Sequence, residues 1–288
     1  MRLALGTVQF GLSYGISNQS GQVSRETSKA VISLAQSKGI DTIDTAISYG
    51  ESEACLGEIG LDGFKVITKL PAIPDNITDI GGWIHNQMQL SLQRLNVISV
   101  YAVLLHYPQQ LFGPKGKALA NSLGKLKAEG VVQKVGVSIY APSELDGLMN
   151  ICPIDLVQAP FNLIDQRLQS SGWLQKLHDA GVEVHSRSAF LQGLLLMPSA
   201  TIPKKFKSWL PLLNIWHDWL LDNNTSAAHA CIGFVQAHPQ IDRIVVGVES
   251  THQLEQLIQA VNKPLNTAWP NINSSDEHLV NPSNWDLL

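Results

Sequence analysis

The chain alternates between two kinds of hydrophobic pattern. Runs of three to seven residues rich in valine, isoleucine and leucine are followed by longer segments whose apolar residues recur every three or four positions. Short, nearly continuous apolar runs are typical of buried strands, whereas the longer period indicates a helix with one buried face. The predicted strands are Leu3–Gly6, Thr42–Asp44, Lys65–Thr68, Val100–His106, Val132–Ser138, Leu156–Ala159, Val182–Ser186 and Arg243–Gly247.

Helix signals fill the gaps between these strands. Ser24 is placed as an N-cap, Gly39 as the stop of the same helix, and Pro142 as the start of a short helix. No shift in composition separates one strand–helix unit from the next. Apolar strands that alternate with helices predict a parallel sheet covered on its faces.

Eight such units in 288 residues favour an α/β fold, a single (β/α)8 TIM barrel over residues 1–288, because this fold takes roughly 250 residues. The alternative is a doubly wound sheet, which normally binds dinucleotides through GxGxxG after its first strand. Here that position reads GTVQFGLSYG, which contains neither this motif nor GxxxxGK[ST]. The C-terminal tail, about 264–288, contains Trp269 and Trp285 and could pack as ordinary helix.

Composition narrows the possible partners. The chain is 44% hydrophobic and 15% charged, with a net charge of −4, so it can bury a large core and offers no basic surface for nucleic acid or anionic membrane. No apolar stretch approaches the roughly 20 residues of a membrane span. Cys55, Cys152 and Cys231 lie far apart, which predicts buried core thiols and a reducing, cytoplasmic setting.

Polar side chains stand where several predicted strands end. Asp44, Lys69 and His106 come at the ends of strands two, three and four, and Tyr49 follows Asp44 in the next loop. Each alone is readily explained as a cap or a rim residue, but a barrel brings all four to one rim. An aspartate makes a buried lysine tolerable, and that cation prepares a neighbouring phenol to give up a proton. The pattern predicts a site that protonates a developing alkoxide.

Segments along nearly the whole chain resemble the aldo-keto reductase family. The four polar residues occur in the family's order and in its strand contexts. The matching segments read LALGTVQFG, IDTAISYGESEACLG, KVITKLP, LQRLNVISVYAVLLH, LKAEGVVQKVGVSIY, DLVQAPFNLID, HSRSAFLQGLLL and IVVGVESTHQLEQ.

The resemblance implies an oxidoreductase that transfers a hydride between nicotinamide C4 and the carbonyl carbon of an aldehyde or ketone, possibly sugar-derived. By this resemblance Tyr49 is the general acid and base, Lys69 activates it, Asp44 anchors Lys69, and His106 orients the carbonyl. The hydride chemistry belongs to the cofactor, and the protein supplies position and charge.

The resemblance also implies a set of cofactor contacts, with either NADP or NAD as the cofactor. Ile139 stands where relatives usually have asparagine, and Arg187 stands where they have an aromatic residue, so Arg187 is predicted to stack, or to face the pyrophosphate or a substrate anion. Glu249 replaces the basic residues typical of NADP binding, which leaves the choice of cofactor open. The implied contacts are Gly6, Thr7, Asp44, Ser138, Gln158, Arg187, Ser188, Phe190, Gln192, Gly193, Gly247, Glu249 and Gln253.

Loops around the four polar residues are expected to bind a small-molecule carbonyl substrate. The resemblance also implies that the C-terminal tail, about 264–288, covers the rim of the active site, with ordinary helix packing as the alternative. No metal, nucleic acid or membrane partner is predicted, and the oligomeric state is open, with a monomer as the default. Two alternatives stay open: a regulatory protein that binds cofactor with little turnover, and a metal-dependent barrel hydrolase, which would need clustered histidine and aspartate ligands. The candidate substrate residues are Phe10, Tyr14, Ile47, Tyr107 and Asn162.

Overall fold

The computed structural model describes residues 1–18, 20–265 and 267–287. Eight parallel strands close into a barrel in which each strand pairs with its neighbours in sequence and the last pairs with the first. The (β/α)8 prediction is therefore confirmed. The strands are β1 (Leu3–Gly6), β2 (Thr42–Asp44), β3 (Lys65–Leu70), β4 (Val100–Leu105), β5 (Val132–Ser138), β6 (Leu156–Pro160), β7 (Glu183–Arg187) and β8 (Arg243–Gly247).

Helices connect the strands and cover the outside of the barrel. The α-helices are α1 (Val8–Gly11), α2 (Arg25–Ser37), α3 (Ser52–Ile59), α4 (Ile80–Leu95), α5 (Gly116–Ala128), α6 (Leu148–Ile151), α7 (Arg167–Ser170), α8 (Trp173–Asp179), α9 (Leu210–Asp222), α10 (Ala227–Gln236), α11 (Thr251–Asn262) and α12 (Glu277–Val280). Short 3₁₀ helices cover Pro108–Phe112, Pro142–Leu145, Leu191–Leu196, Ser199–Thr201, Lys204–Trp209 and Pro282–Leu287.

The two residues predicted to begin and end the first long helix lie at the observed ends of α2. The Ser24 side chain accepts a hydrogen bond from the Thr27 backbone N–H and caps α2. Gly39, two residues after the last residue of α2, has φ +77°, a conformation that favours glycine. The predicted strands agree with the observed ones to within two residues at every end.

The core has two layers. The larger one lies between the strands and the surrounding helices, and all three cysteines are buried with free thiols, as predicted. A smaller apolar group of Ile67, Ala102, Leu104 and Leu156 forms a cluster separate from it. No helix in the described part of the chain is long and apolar enough to cross a membrane.

A group of polar side chains lies toward the amino ends of β4, β5 and β7, and we call it the floor cluster. It consists of Tyr101, Lys134, Glu183 and His185. The Glu183 carboxylate accepts hydrogen bonds from the Tyr101 hydroxyl at 2.7 Å and from the Lys134 ammonium group, and it lies 2.7 Å from His185 Nε2. None of these four residues lines the large cavity described below.

The C-terminal tail packs against the outer elements on one side of the barrel. Trp285 is buried in edge contact with Phe206, and the Trp209 indole donates to Asp276 at 3.0 Å. Glu277 pairs with Arg167 at the start of α7. Asn266 and Leu288, inside the predicted tail, lie outside the described residues. None of the tail's described residues lines the cavity, so here the tail packs on helices and does not form its wall.

Candidate active site

Strand register brings the predicted polar residues to one end of the barrel. Gly6 at the end of β1 pairs with Asp44 at the end of β2 and with Gly247 at the end of β8. Ser138 of β5 pairs with Gln158 of β6 in the same way. Because the strands are parallel and in register, these carboxyl ends form a common rim.

Asp44, Tyr49, Lys69 and His106 form what we call the rim cluster. The Lys69 ammonium group is its centre, and it is fully buried. It donates to Asp44 Oδ1 at 2.6 Å, to the Thr45 carbonyl at 2.9 Å and to the Tyr49 hydroxyl oxygen at 3.5 Å. The sequence prediction that Lys69 lies between an anion and a phenol matches this geometry.

The charge on Lys69 is held in place by its neighbours. Burial alone would lower the pKa of this ammonium group, but the nearby Asp44 and Tyr49 outweigh it and raise the pKa above its ordinary value. A buried lysine with a carboxylate at 2.6 Å stays charged, because separation of the pair would leave an uncompensated charge in a dry environment.

Asp44 is held from its other side by an amide. Gln158 Nε2 donates to Asp44 Oδ2 at 2.7 Å, and the Ser138 hydroxyl lies 3.3 Å from Gln158 Oε1. Both carboxylate oxygens are therefore occupied, which fixes the side chain in one orientation. Ser138 and Gln158 thus contribute to the order of the rim cluster in addition to facing the cavity.

The loop that carries Tyr49 is locked against α1. A Cβ atom on Gly11 would lie 1.8 Å from the Tyr49 carbonyl oxygen, so only glycine permits this approach. Gly50, with φ +53°, lies against the Gly11 carbonyl in turn. The Tyr49 N–H donates to the Ala46 carbonyl, which closes a turn after β2. This packing keeps Tyr49 beside Lys69 although it is outside any strand or helix.

His106 lies directly after β4 and is close to Tyr49. The two rings meet edge to face, with centroids 6.0 Å apart. Burial, then the positive charges of Lys69 and Arg187, lower the pKa of His106 to about 3. The imidazole is therefore neutral near pH 7, and one of its nitrogens can donate while the other accepts. Its Nδ1 lies 3.4 Å from the Ser48 hydroxyl.

A cavity of about 630 Å³ opens at this rim. Tyr49, His106 and Asp44 line one part of it, and Lys69 lies behind them outside the lining. Every residue predicted to contact the cofactor lines the same cavity, as do Tyr14 and Tyr107. The predicted cofactor contacts in the lining are Gly6, Thr7, Asp44, Ser138, Gln158, Arg187, Ser188, Phe190, Gln192, Gly193, Gly247, Glu249 and Gln253.

Arg187 at the end of β7 is held flat in the cavity wall. Its guanidinium group lies over the Tyr140 ring, with 4.5 Å from the central carbon to the centroid. It donates to the Ile139 carbonyl at 2.9 Å and to the Ser188 hydroxyl at 3.2 Å. Ile139, which stands in place of the usual asparagine, is fully buried and presents only its carbonyl to Arg187.

The segment that follows Arg187 has an unusual backbone. Ser188, Leu191 and Gln192 have φ values of +58°, +47° and +51°, and Gly193 has φ +96°. Left-handed conformations in residues with a side chain cost of order 1 kcal/mol each, so their concentration beside a cavity points to function. Backbone turns of alternating hand make concavities in which N–H groups meet anions. This segment is a candidate for a phosphate-binding loop.

Three predicted substrate residues do not line the cavity, which corrects the sequence prediction. Phe10 is buried in the main core at 1% exposure, and Ile47 packs against the same core. Asn162 is fully buried; its Oδ1 accepts from the N–H groups of Ile164 and Asp165, and its Nδ2 donates to the Ser188 carbonyl. Asn162 therefore shapes the loop beside the cavity from behind.

Several lining residues were not predicted from the sequence. Tyr140 is the second residue after the end of β5, so its position close to a strand end was a usable signal. Ser226, Ala227 and Ala228 are at the start of α10, where the Ser226 side chain caps the helix, and a serine N-cap by itself does not indicate a site. Gln9 faces the cavity from α1, and it carried no signal in the sequence.

Comparisons with known proteins agree with the family resemblance seen in the sequence. A sequence model of the Aldo/keto reductase family matches residues 2–275. Aldo-keto reductase YhdN of Bacillus subtilis is 24% identical over 317 aligned positions, which cover 97% of this chain and 88% of that protein. The chloroplastic pyridoxal reductase of Arabidopsis thaliana is 28% identical over 183 positions, which cover 56% of this chain and 50% of that protein.

Solved structures share the fold. The holo form of aldo-keto reductase AKR11C1 from Bacillus halodurans superposes with a TM-score of 0.75 at 19% identity, covering 92% of this chain and 88% of that one. The glycerol dehydrogenase AKR11B4 from Gluconobacter oxydans gives 0.72 at 23% identity, with coverage of 92% and 88%. The match of the family model over nearly the whole length shows that this chain belongs to the aldo/keto reductase family.

Proposed function

We propose that this protein is a nicotinamide-dependent carbonyl reductase in which Tyr49 gives a proton to the carbonyl oxygen of an aldehyde or ketone. The observation that carries the proposal is the buried pair of Lys69 and Asp44 directly behind the Tyr49 hydroxyl. The ammonium group stabilises the negative charge that the tyrosine oxygen acquires when it releases its proton. A positioned general acid of this kind contributes typically 10²- to 10⁴-fold to a rate.

His106 supports the same step from the other side of the carbonyl. Because its imidazole is neutral near pH 7, it can donate one hydrogen bond to the substrate oxygen without competing for the proton of Tyr49. Two donors aimed at one oxygen would stabilise charge as it develops there. In the oxidative direction the same groups would take a proton from an alcohol.

The cavity residues fit an extended dinucleotide. The bound nicotinamide would supply or accept the hydride at its C4. Ser138 and Gln158 would hold its carboxamide, and the segment from Ser188 to Gly193, which contains four residues with positive φ, would face the pyrophosphate. The buried Gln9 Oε1 has no hydrogen-bond partner within the part of the chain that the structure describes, and Gln9 faces the same cavity, as expected of an acceptor that a ligand satisfies.

Arg187 would serve the cofactor or an anionic substrate through the face that is not covered by Tyr140. Tyr14, Tyr107 and Tyr140 give the cavity three phenol rings in addition to Tyr49. Rings with hydroxyl groups stack on and hydrogen-bond to polyhydroxylated compounds, so a sugar-derived aldehyde or ketone is the substrate class we propose.

The test compares two tyrosines that line one cavity. Tyr49→Phe should lower the oxidation of NADH or NADPH by small aldehydes 10²- to 10⁴-fold and leave nucleotide binding, followed by fluorescence quenching, unchanged. Tyr14→Phe is the matched control, because its hydroxyl contacts Gln192 and not Lys69, and it should change turnover less than tenfold.

Retained turnover in Tyr49→Phe would rule out Tyr49 as the main proton donor. If the unaltered protein binds nucleotide but reduces none of the aldehydes tested, the alternative of a cofactor-binding regulatory protein is favoured instead.

A further inference from the structure

The cavity has an uneven distribution of charge. Its described lining contains one cationic side chain, Arg187, and two carboxylates, Asp44 and Glu249. Asp44 is paired with Lys69, so its charge is compensated. Glu249 forms no ion pair with any residue that the structure describes. One end of the cavity therefore carries an uncompensated negative charge.

Glu249 is held in place at that end. It follows β8, and its backbone N–H donates to Gln253 Oε1 at 2.7 Å at the start of α11. The lining residues contributed by α10, α11 and the Ser226 cap are all uncharged: Ser226, Ala227, Ala228, Gln253, Gln256 and Leu257. Burial raises the pKa of the Glu249 carboxyl, and the Gln253 side chain opposes this shift. A half-buried carboxylate in such surroundings needs hydrogen-bond donors.

Glu249 follows β8, whereas Tyr49 and His106 follow β2 and β4, so Glu249 lies at a different place around the rim from the proton donor. If the nicotinamide lies at Tyr49 and His106, the rest of an extended dinucleotide has to follow the cavity away from them. The cavity continues past β8 to the starts of α10 and α11, where Glu249 lies. With the nicotinamide placed there, the adenosine end of the cofactor would reach Glu249.

We infer that Glu249 selects a cofactor with a free 2′-hydroxyl group, so that the protein uses NADH in preference to NADPH; this inference rests on the proposed reductase function. A carboxylate accepts hydrogen bonds from ribose hydroxyls, whereas it repels a 2′-phosphate that carries up to two negative charges. The only cation in the described lining, Arg187, is held over the Tyr140 ring and donates to the Ile139 carbonyl, so it is fixed beside residues that follow β5 and is not placed to offset this repulsion.

An adjoining groove offers the competing possibility. It has a volume of about 330 Å³, shares Ser226, Ala228 and Gln256 with the main cavity, and is also lined by His229 and Lys263. A 2′-phosphate that turned into this groove could pair with the exposed Lys263 ammonium group. A 2′-phosphate beside Glu249 would be repelled, whereas one beside Lys263 would be attracted. The two positions therefore predict opposite preferences between NADH and NADPH.

The experiment measures dissociation constants by fluorescence titration for NADH, NADPH, ADP-ribose and 2′-phospho-ADP-ribose, so that the result does not depend on turnover. We expect the unaltered protein to bind NADH at least tenfold more tightly than NADPH, which corresponds to about 1.4 kcal/mol. Glu249→Gln should reduce this ratio at least threefold, mainly through tighter binding of the phosphorylated ligands. Added salt should also reduce the ratio, because it screens the repulsion.

Two control variants separate Glu249 from its surroundings. Glu255→Gln removes an exposed carboxylate from the same helix, α11, without touching the lining, and should leave the ratio unchanged. Lys263→Ala should also leave it unchanged. A weaker affinity of Lys263→Ala for NADPH alone would show that the phosphate lies in the groove and would overturn the inference.

Equal or tighter binding of NADPH by the unaltered protein, or an unchanged ratio in Glu249→Gln, would likewise overturn it. Failure of the proposed function looks different, because then neither dinucleotide would bind, or both would bind without carbonyl reduction. A protein that binds both equally and reduces aldehydes would retain the proposed function and lose only the selectivity argued here.

Discussion

The rim cluster and the floor cluster contain the same four kinds of side chain in one barrel. Each has a carboxylate, a lysine, a tyrosine and a histidine, but a different group is at the centre. In the rim cluster the Lys69 ammonium group donates to Asp44 and to Tyr49. In the floor cluster the Glu183 carboxylate is at the centre. It accepts hydrogen bonds from the Tyr101 hydroxyl and the Lys134 ammonium group, and it lies beside His185.

This difference decides what each phenol can do. The Tyr49 oxygen accepts from Lys69, so its own proton remains free to be given to a ligand in the cavity. The Tyr101 proton is already donated to a carboxylate, and burial together with that hydrogen bond raises the pKa of Tyr101. Residue types alone therefore do not identify a site; the direction of the hydrogen bonds and access to a cavity do.

The two lysines also differ in their exposure to solvent. The Lys69 side chain is 1% exposed, whereas that of Lys134 is 32% exposed. Water screens a charge that it can reach, so removal of the partner of a buried charge is far more costly than removal of a partly exposed one.

The largest expected effect separates these lysines. Lys69→Met leaves Asp44 buried without its cation, so we expect the free energy of unfolding to fall by about 3 to 5 kcal/mol and carbonyl reduction to be lost. Lys134→Met should cost less than about 1.5 kcal/mol and preserve activity, because Glu183 keeps two other partners. Urea unfolding and an NADH oxidation assay measure both. Equal losses of stability would remove the distinction between the clusters.

Glu183 should give the floor cluster a dependence on acid pH. Burial alone would raise the pKa of Glu183, but its bonds to His185, Lys134 and Tyr101 lower it well below the usual range. Because the folded-state pKa lies below the unfolded value of about 4.3, the stabilisation is present above that pH and is lost as the pH falls. Glu183→Gln should thus be less stable than the unaltered protein by about 2 kcal/mol at pH 7.

The difference for Glu183 should shrink steadily below pH 4, as followed by chemical denaturation across a pH series. A constant difference from pH 7 to pH 3 would show that the carboxylate charge is not the stabilising feature.

His106 should make the rim cluster sensitive to pH in a higher range. Its pKa is about 3 in the folded protein, against about 6.5 when unfolded. As the pH falls below 6.5 the unfolded chain takes up a proton that the folded protein refuses, so stability falls. Between pH 7 and pH 5 the unaltered protein should lose about 1 to 2 kcal/mol more than His106→Gln does. Parallel stability curves for the two proteins would contradict a neutral, buried His106.

The smallest expected effect concerns the second phenol. Tyr101→Phe removes one of three hydrogen bonds to Glu183, so we expect a loss of about 1 kcal/mol, or roughly 2 to 4 °C in Tm, without change in kcat/KM. Calorimetry and steady-state kinetics measure the two quantities. A fall in kcat/KM comparable to that expected for Tyr49→Phe would mean that the floor cluster takes part in catalysis.

Much of the architecture was determined by the sequence itself. Strand positions were predictable because a buried parallel strand needs a continuous apolar run, and the rim residues were predictable because parallel strands bring their carboxyl ends together. The candidate cofactor residues came from the family resemblance and not from the hydrophobic pattern, and all of them line one cavity. The sequence did not predict that Phe10, Ile47 and Asn162 lie outside the lining of that cavity.

Only the tertiary structure decided those orientations, because a loop side chain turns toward whichever surface distant segments provide. Phe10 enters the core and Asn162 supports Ser188 from behind for that reason. The order of donors and acceptors in the two clusters is likewise a property of the closed barrel, since their members are contributed by different strands and loops. Local sequence fixes which residues reach an end of the barrel, and packing across the barrel fixes what they do there.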